Sequence, residues 1–225
     1  MTDAVSPSTP NAPAKVRIDF VSDVSCPWCA VGLMSLEQAL ARLDGEVEAE
    51  IHFQPFELNP QMPVEGQDIA EHLHEKYGST PEQFAQAQEH LRERGAALGF
   101  EFRMDKRKRI YNTFDAHRLL HWAGLEGRQG ELKHTLLNAY FRDGENVGDT
   151  DVLVRLAEQA GLPGERAREI LSADEFAAET RAQERSFLRN GINAVPAIII
   201  NERHLISGGQ PPELFERALR QLSAG

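Results

Sequence analysis

The sequence is short of cysteine, with two among 225 residues. A small domain stapled by disulfides needs several bridges, so the count excludes that architecture. Two thiols also cannot complete a four-thiolate zinc site. Long apolar runs are missing: no stretch approaches the roughly 20 apolar residues a membrane-spanning helix requires. The first fifteen residues, Met1 to Lys15, are rich in Ser, Thr, Pro and Ala and carry neither the basic start nor the apolar centre of a secretory leader. Residues 1–14 read as a flexible tail, and the chain is expected to be cytoplasmic, with no membrane partner. Basic charge is in deficit, since 24 Lys and Arg against 35 Asp and Glu leave a net charge of −11. That balance disfavours nucleic acid as a partner. The Lys106–Arg109 run, four basic residues on an acidic chain, reads as a solvated face.

What is present begins with alternation. Val16 to Val21 alternates apolar with polar residues and predicts a strand. From Pro27 to Leu43 the apolar residues recur at helical spacing, and Asp44-Gly45 ends the helix. Glu46 to Gln54 predicts a second strand, and a connection of this length between them makes a parallel crossover unit. A proline-punctuated loop follows, with Pro55, Pro60 and Pro63 blocking regular structure. The next hundred residues are helical in character. Thr80 caps a helix with Pro81 in its first turn, running to Leu98. Further helices are predicted over Phe114–Leu125, Gly130–Phe141, Thr150–Gln159 and Asp174–Asn190. Strand character returns at Ala197–Ile200 and His204–Ser207 around a tight Asn201-Glu202-Arg203 turn, and Pro211–Leu222 predicts a closing amphipathic helix.

The two cysteines stand three positions apart, in Cys26-Pro27-Trp28-Cys29, at the join between the first strand and its helix. The first thiol is then set beside the unpaired N–H groups of a helix's first turn and the positive end of its dipole, and both favour the thiolate. Cys26 is expected to be the exposed nucleophile that attacks a disulfide. Cys29, one turn deeper, is expected to attack the mixed disulfide and release the product. Pro27 suits the first turn of a helix, and Trp28 offers a flat apolar surface beside the nucleophile. An isolated Cys-x-x-Cys also occurs in zinc sites; its place inside a β-α-β pattern favours redox chemistry. Val195-Pro196, just before the third strand, reads from the residues alone as an ordinary strand start. His117 and His121 lie four apart on one predicted helix, a spacing able to bind a metal. No third ligand is evident, and Leu119 and Trp122 beside them favour packing, so no metal is expected.

The run Ser22-Asp23-Val24-Ser25-Cys26-Pro27-Trp28-Cys29, with Phe56-Glu57-Leu58-Asn59-Pro60, Asp115-Ala116-His117-Arg118-Leu119 and Ser207-Gly208-Gly209-Gln210-Pro211-Pro212, resembles the FrnE-like branch of the DsbA family, a bacterial group. The resemblance spans Lys15 to Leu222. It implies a thioredoxin-like domain carrying a helical insertion, a redox-active pair at Cys26 and Cys29, and a cis bond before Pro196 that turns the Val195 backbone toward the cysteines. Pro27, Trp28, Val195, Pro196, Gly209 and Gln210 are then the candidate substrate-binding residues, with Asn112 and His117 facing the cleft from the helical block. The chain departs from periplasmic DsbA proteins in lacking a histidine between the cysteines, and from some FrnE-like proteins in lacking further cysteines toward the C-terminus.

The expected fold is therefore α/β, thioredoxin-like, with an all-helical insertion: residues 15–65 and 183–225 form the thioredoxin-like domain and 66–182 the insertion that roofs the cysteines. The expected activity is that of a protein-disulfide oxidoreductase or isomerase. It needs no cofactor beyond glutathione as a redox partner, and it acts on disulfide-containing proteins or low-molecular-weight thiols as a monomer or homodimer. One alternative is a glutathione-dependent isomerase or transferase of the related hydroxychromene-carboxylate isomerase or kappa class, which uses a serine where Cys26 stands. Another is a redox-independent chaperone or binding module.

Overall fold

The structure, a computed structural model, describes residues 13–223. The expected tail therefore lies almost wholly outside the described residues. Strand β1 (Ala14–Ser22) runs into helix α1 (Pro27–Arg42) and returns as β2 (Val47–Pro55). The register is parallel, with Ile18 beside Ile51 and Phe20 beside Phe53. Strands β5 (Ala197–Ile200) and β6 (His204–Ser207) add to the other side of β1, both pairings antiparallel, giving the sheet order β2-β1-β5-β6. The β5–β6 turn places Asn201 and Glu202 at φ 50° and 59° and closes with Arg203 N–H to Ile200 O at 3.1 Å. Both central residues at positive φ give the primed turn that matches strand twist.

Helix α1 starts where it does because Pro27 occupies its first turn, and the C-terminal helix α9 (Pro212–Ser223) packs along it. Leu33, Leu36 and Ala39 of α1 and Phe215 and Leu219 of α9 are buried together with Val16, Ile18 and Phe20 of β1. The sheet face so covered is the apolar set of alternate β1 positions.

Between β2 and β5 lie α2 (Ile69–Tyr77), α3 (Pro81–Ala97), α4 (Phe114–Leu125), α5 (Gln129–Asn138), α6 (Thr150–Gln159), α7 (Gly164–Ser172) and α8 (Ala177–Arg189). The fold is thioredoxin-like with a helical insertion, as expected. It differs in details. Helices α2 and α7 form regular helices beyond those the sequence pattern predicts, and α5 continues into a π-helical turn over Ala139–Asp143. The insertion is not wholly helical: β3 (Gln67–Asp68) and β4 (Arg109–Ile110) pair antiparallel. The expected boundary at 182/183 falls inside α8, one continuous helix touching both β2 and α4. The insertion is also wired to the sheet edge. Gln129 accepts the Phe53 N–H at 2.8 Å and donates to the Phe53 carbonyl at 3.0 Å, standing in for a neighbouring strand. No described helix is long and apolar enough to cross a membrane.

Candidate active site

Strand β1 delivers the chain to the sheet's end, and the Asp23-Val24-Ser25 turn swings it into α1. Cys26 is the residue capping that helix, with extended backbone (φ −84°, ψ 114°), and its N–H reaches Asp23 O at 3.2 Å. Its carbonyl accepts Cys29 N–H at 3.1 Å and so opens the first turn. The Cys26 sulfur thus sits beside the orphan N–H groups of a helix start. Both cysteines are free thiols. A hydrogen bond from the Cys29 thiol, helped by the Cys29 and Trp28 backbone, lowers Cys26 below the ordinary thiol range, against burial and the Asp23 carboxylate. Burial and the neighbouring Cys26 sulfur push Cys29 well above that range, with Lys133 and the Asp23 N–H opposing. A thiol poised to ionise beside one poised to stay protonated is the division of labour that exchange requires.

The Cys26 sulfur also lies 3.8 Å from the Val195 carbonyl, and the Val195-Pro196 peptide is cis. Pro196 packs so closely on α1 that a Cβ at Gly32 would stand 3.1 Å from its ring. Gly209 lies equally near, since a Cβ there would meet the Trp28 carbonyl at 3.0 Å. The motif, the Val195-Pro196 bend and the Gly208-Gly209 loop therefore converge. Gln210 folds back on its own loop, donating to Ser207 O at 2.8 Å.

Two expectations about exposure are corrected. Cys26 is only 4% exposed, not an open nucleophile. Helix α3 packs against α1; its His90 ring meets Trp28 of the motif at a 50° tilt with centroids 5.6 Å apart, and its Arg94 donates to the Gly209 carbonyl of the adjoining loop at 3.0 Å. Trp28 stays 37% exposed. The Lys106–Arg109 run is not a uniformly solvated face either. Arg107 is buried, lies 5.0 and 5.1 Å from the Tyr140 and Phe141 rings, and donates to Ser25 O at 3.3 Å.

The helical block contributes differently from expectation. Asn112 donates to Met62 O at 3.4 Å and accepts the Phe114 N–H at 2.9 Å, so its side chain holds the start of α4. His117 is buried behind the motif, its Nε2 donating to Phe56 O at 3.1 Å and lying 3.8 Å from Asp23 Oδ1. Asp23 is 1% exposed. Burial alone would raise its carboxyl, but the His117 ring and the Leu58 and Ser25 N–H groups hold it below the usual carboxylate range.

Sequence reasoning missed Lys133, which α5 inserts beneath the site at 0% exposure, its Nζ 2.9 Å from Ser22 Oγ. A signal existed: Lys133 sits at helical spacing with buried Leu132, Leu136 and Leu137, inside an apolar stripe where a lysine is out of place.

The DSBA-like thioredoxin domain family matches residues 17–220. In sequence, the uncharacterized protein YwbO of Bacillus subtilis is 27% identical over 205 residues, 91% of this chain and 96% of that one. A probable DsbA oxidoreductase of Streptomyces coelicolor, SCO1869, superposes with a TM-score of 0.85 at 36% identity, covering 92% of this chain and 89% of that one. The cytosolic disulfide reductase DsbM of Pseudomonas aeruginosa, solved with GSH, shares the fold, with a TM-score of 0.62 at 17% identity over 93% of this chain and all of that one, 100%.

Proposed function

Because the chain belongs to the DSBA-like thioredoxin domain family, we propose that it is a thiol–disulfide oxidoreductase whose working groups are Cys26 and Cys29. The observation that carries this reading is the placement of Cys26 at the N-cap of α1, with Cys29 in the first turn and the carbonyl before the cis Pro196 3.8 Å from the Cys26 sulfur. In the forward sense, the Cys26 thiolate attacks one sulfur of a substrate disulfide; a Cys26–substrate bond forms and the other substrate sulfur leaves as a thiolate. The Cys29 sulfur then attacks Cys26, closing the Cys26–Cys29 disulfide and releasing the second substrate thiol. Two electrons pass from the dithiol to the substrate, and two equivalents of an external thiol return the pair to the dithiol.

Substrates are disulfide-bearing peptides or small molecules. An extended strand would lie along Val195, above Pro196 and beside Trp28, Pro27 and Gly209-Gln210, a path supported by the Val195 carbonyl 3.8 Å from the Cys26 sulfur and by the close approach of Gly209 to the Trp28 carbonyl. Glutathione is the proposed reductant, supported by a relative of the same fold solved with GSH. In a reducing cytoplasm such a pair rests as the dithiol, so reduction and isomerisation are the favoured directions. Cys26→Ser should abolish insulin-disulfide reduction, and full activity in that variant would refute the assignment.

A further inference from the structure

Arg94 of α3 takes no part in the exchange chemistry above, yet it reaches the site. It donates to the Gly209 carbonyl at 3.0 Å, its one hydrogen bond among the described residues. A guanidinium carries five donors in a rigid fork shaped for a carboxylate, so most of this fork is open. No described carboxylate pairs with it, whereas Arg92 of the same helix pairs with Glu89, and Arg103 with Asp105. Of the described arginines without such a partner, Arg94 and Arg107 alone are withdrawn from solvent. Arg107 is occupied by two aromatic rings and the Ser25 carbonyl. Arg94 is the half-buried cation left without a counter-charge, on a chain whose net charge is −11.

Its place is fixed from two sides. The Cys26 sulfur lies 3.8 Å from the Val195 carbonyl. The next carbonyl, of Pro196, accepts the Gly208 N–H at 2.8 Å, and the carbonyl after Gly208, that of Gly209, holds Arg94. Gly209 is itself seated on the motif, where a Cβ would stand 3.0 Å from the Trp28 carbonyl. From the other side His90 sets its ring beside Trp28. His90 and Arg94 are four residues apart and share one face of α3, the face turned to the motif and its loop. Asp23, the carboxylate of the motif segment, is buried and spent on the Ser25 and Leu58 N–H groups, so nothing there neutralises Arg94.

We propose that Arg94 determines specificity: its open N–H groups receive the carboxylate of a small disulfide that carries one near its sulfur, the class to which glutathione disulfides belong, while Trp28 and His90 flank the carbon stem. This rests on the oxidoreductase reading above. Cys26 attacks the disulfide as described there, and Arg94 moves neither proton nor electron. A disulfide without a carboxylate meets the same cysteines and gains nothing from α3.

The test compares apparent second-order rate constants for oxidation of the dithiol protein, read by mass spectrometry of the Cys26–Cys29 bond. Three disulfides serve: oxidised glutathione, which is anionic, neutral 2-hydroxyethyl disulfide, and cationic cystamine. The anionic-to-neutral ratio cancels any change common to all substrates. Arg94→Gln should lower that ratio on the order of tenfold, the scale of one lost charge-assisted hydrogen bond, and raise the cationic-to-neutral ratio. Arg94→Lys keeps the charge and should restore much of the preference. In the wild type the anionic-to-neutral ratio should fall as salt rises, because the attraction is screened. Rate constants that drop together and leave the ratio unmoved would overturn the proposal in favour of Arg94 as a strut for the Gly209 loop. A ratio unmoved with every rate intact would overturn it outright. Should Arg94→Gln fail to fold, the wild-type salt profile decides: a ratio that is flat, or that rises as the net negative charge alone would make it, refutes the proposal. A wild-type chain oxidised by none of the three would instead strike the Cys26 reading beneath it.

Discussion

The Asp23 carboxylate holds the Leu58 N–H at 2.7 Å, tying the turn before the cysteines to the segment that follows β2. Its companion bond to Ser25 fixes the same turn from within. Because the carboxyl is held below its usual range, its contribution to stability is present at neutral pH and fades as pH falls from its unfolded titration, about 3.9, through the lower folded one. Asp23→Asn should cost about 1–3 kcal/mol at pH 7 through weakened charge-assisted bonds. It should also show a shallower acid loss than the wild type in urea unfolding followed across that range. Equal stability at pH 7 would dismiss the role given to this carboxylate.

The asymmetry of the two thiols predicts their alkylation. Cys26 should react with iodoacetamide at a midpoint below that of a free thiol, and Cys29 only at much higher pH. Cys29→Ala removes the hydrogen bond that contributes most to lowering Cys26, so the Cys26 midpoint should move up. An unmoved midpoint would show that the helix start alone sets the ionisation.

Gly209 has no room to grow. A Cβ there would press on the Trp28 carbonyl at 3.0 Å, on Val31 at 3.3 Å and on the Gly32 nitrogen at 3.4 Å. Gly209→Ala should destabilise the protein by about 1–3 kcal/mol, the ordinary cost of overpacking, and depress insulin reduction by shifting the loop that meets the motif. A thermal midpoint equal to wild type would contradict this packing.

Arg107→Met removes both the support of Ser25 O and the stacking on Tyr140 and Phe141. The expected loss is about 1–3 kcal/mol, partly offset because Nε of Arg107 is buried without a partner. Urea midpoints measure it, and a gain in stability would mean that desolvation of the guanidinium outweighs its contacts.

Much of the fold is legible in local sequence. The alternation of β1, the Asn201 turn between β5 and β6, and the bounds of α4 and α6 follow from period and turn chemistry, and the cysteine pair falls at the strand–helix join the pattern marks. The cis Val195-Pro196 bond came through resemblance, because local sequence gives only a strand start. What stayed hidden depends on distant partners. Helix α7, Gly-Glu-Arg-Ala-Arg-Glu-Ile-Leu-Ser, shows few apolar residues and is held by packing on α6 and α4. The β3–β4 pair has two residues on each side, far below any periodic signal. The Cys26 sulfur lies against the Val195 carbonyl, 169 residues away in sequence, and a basic run carries no mark that one of its four members, Arg107, turns inward.

The Gln129 clasp on Phe53 bears on how the chain could be cut. Stripped of its helical block, the thioredoxin half would bare a donor and an acceptor on an outermost strand rich in apolar side chains. Such a fragment would be a template for a second copy to zip against, so an excised minimal domain should precipitate rather than serve as a simpler enzyme.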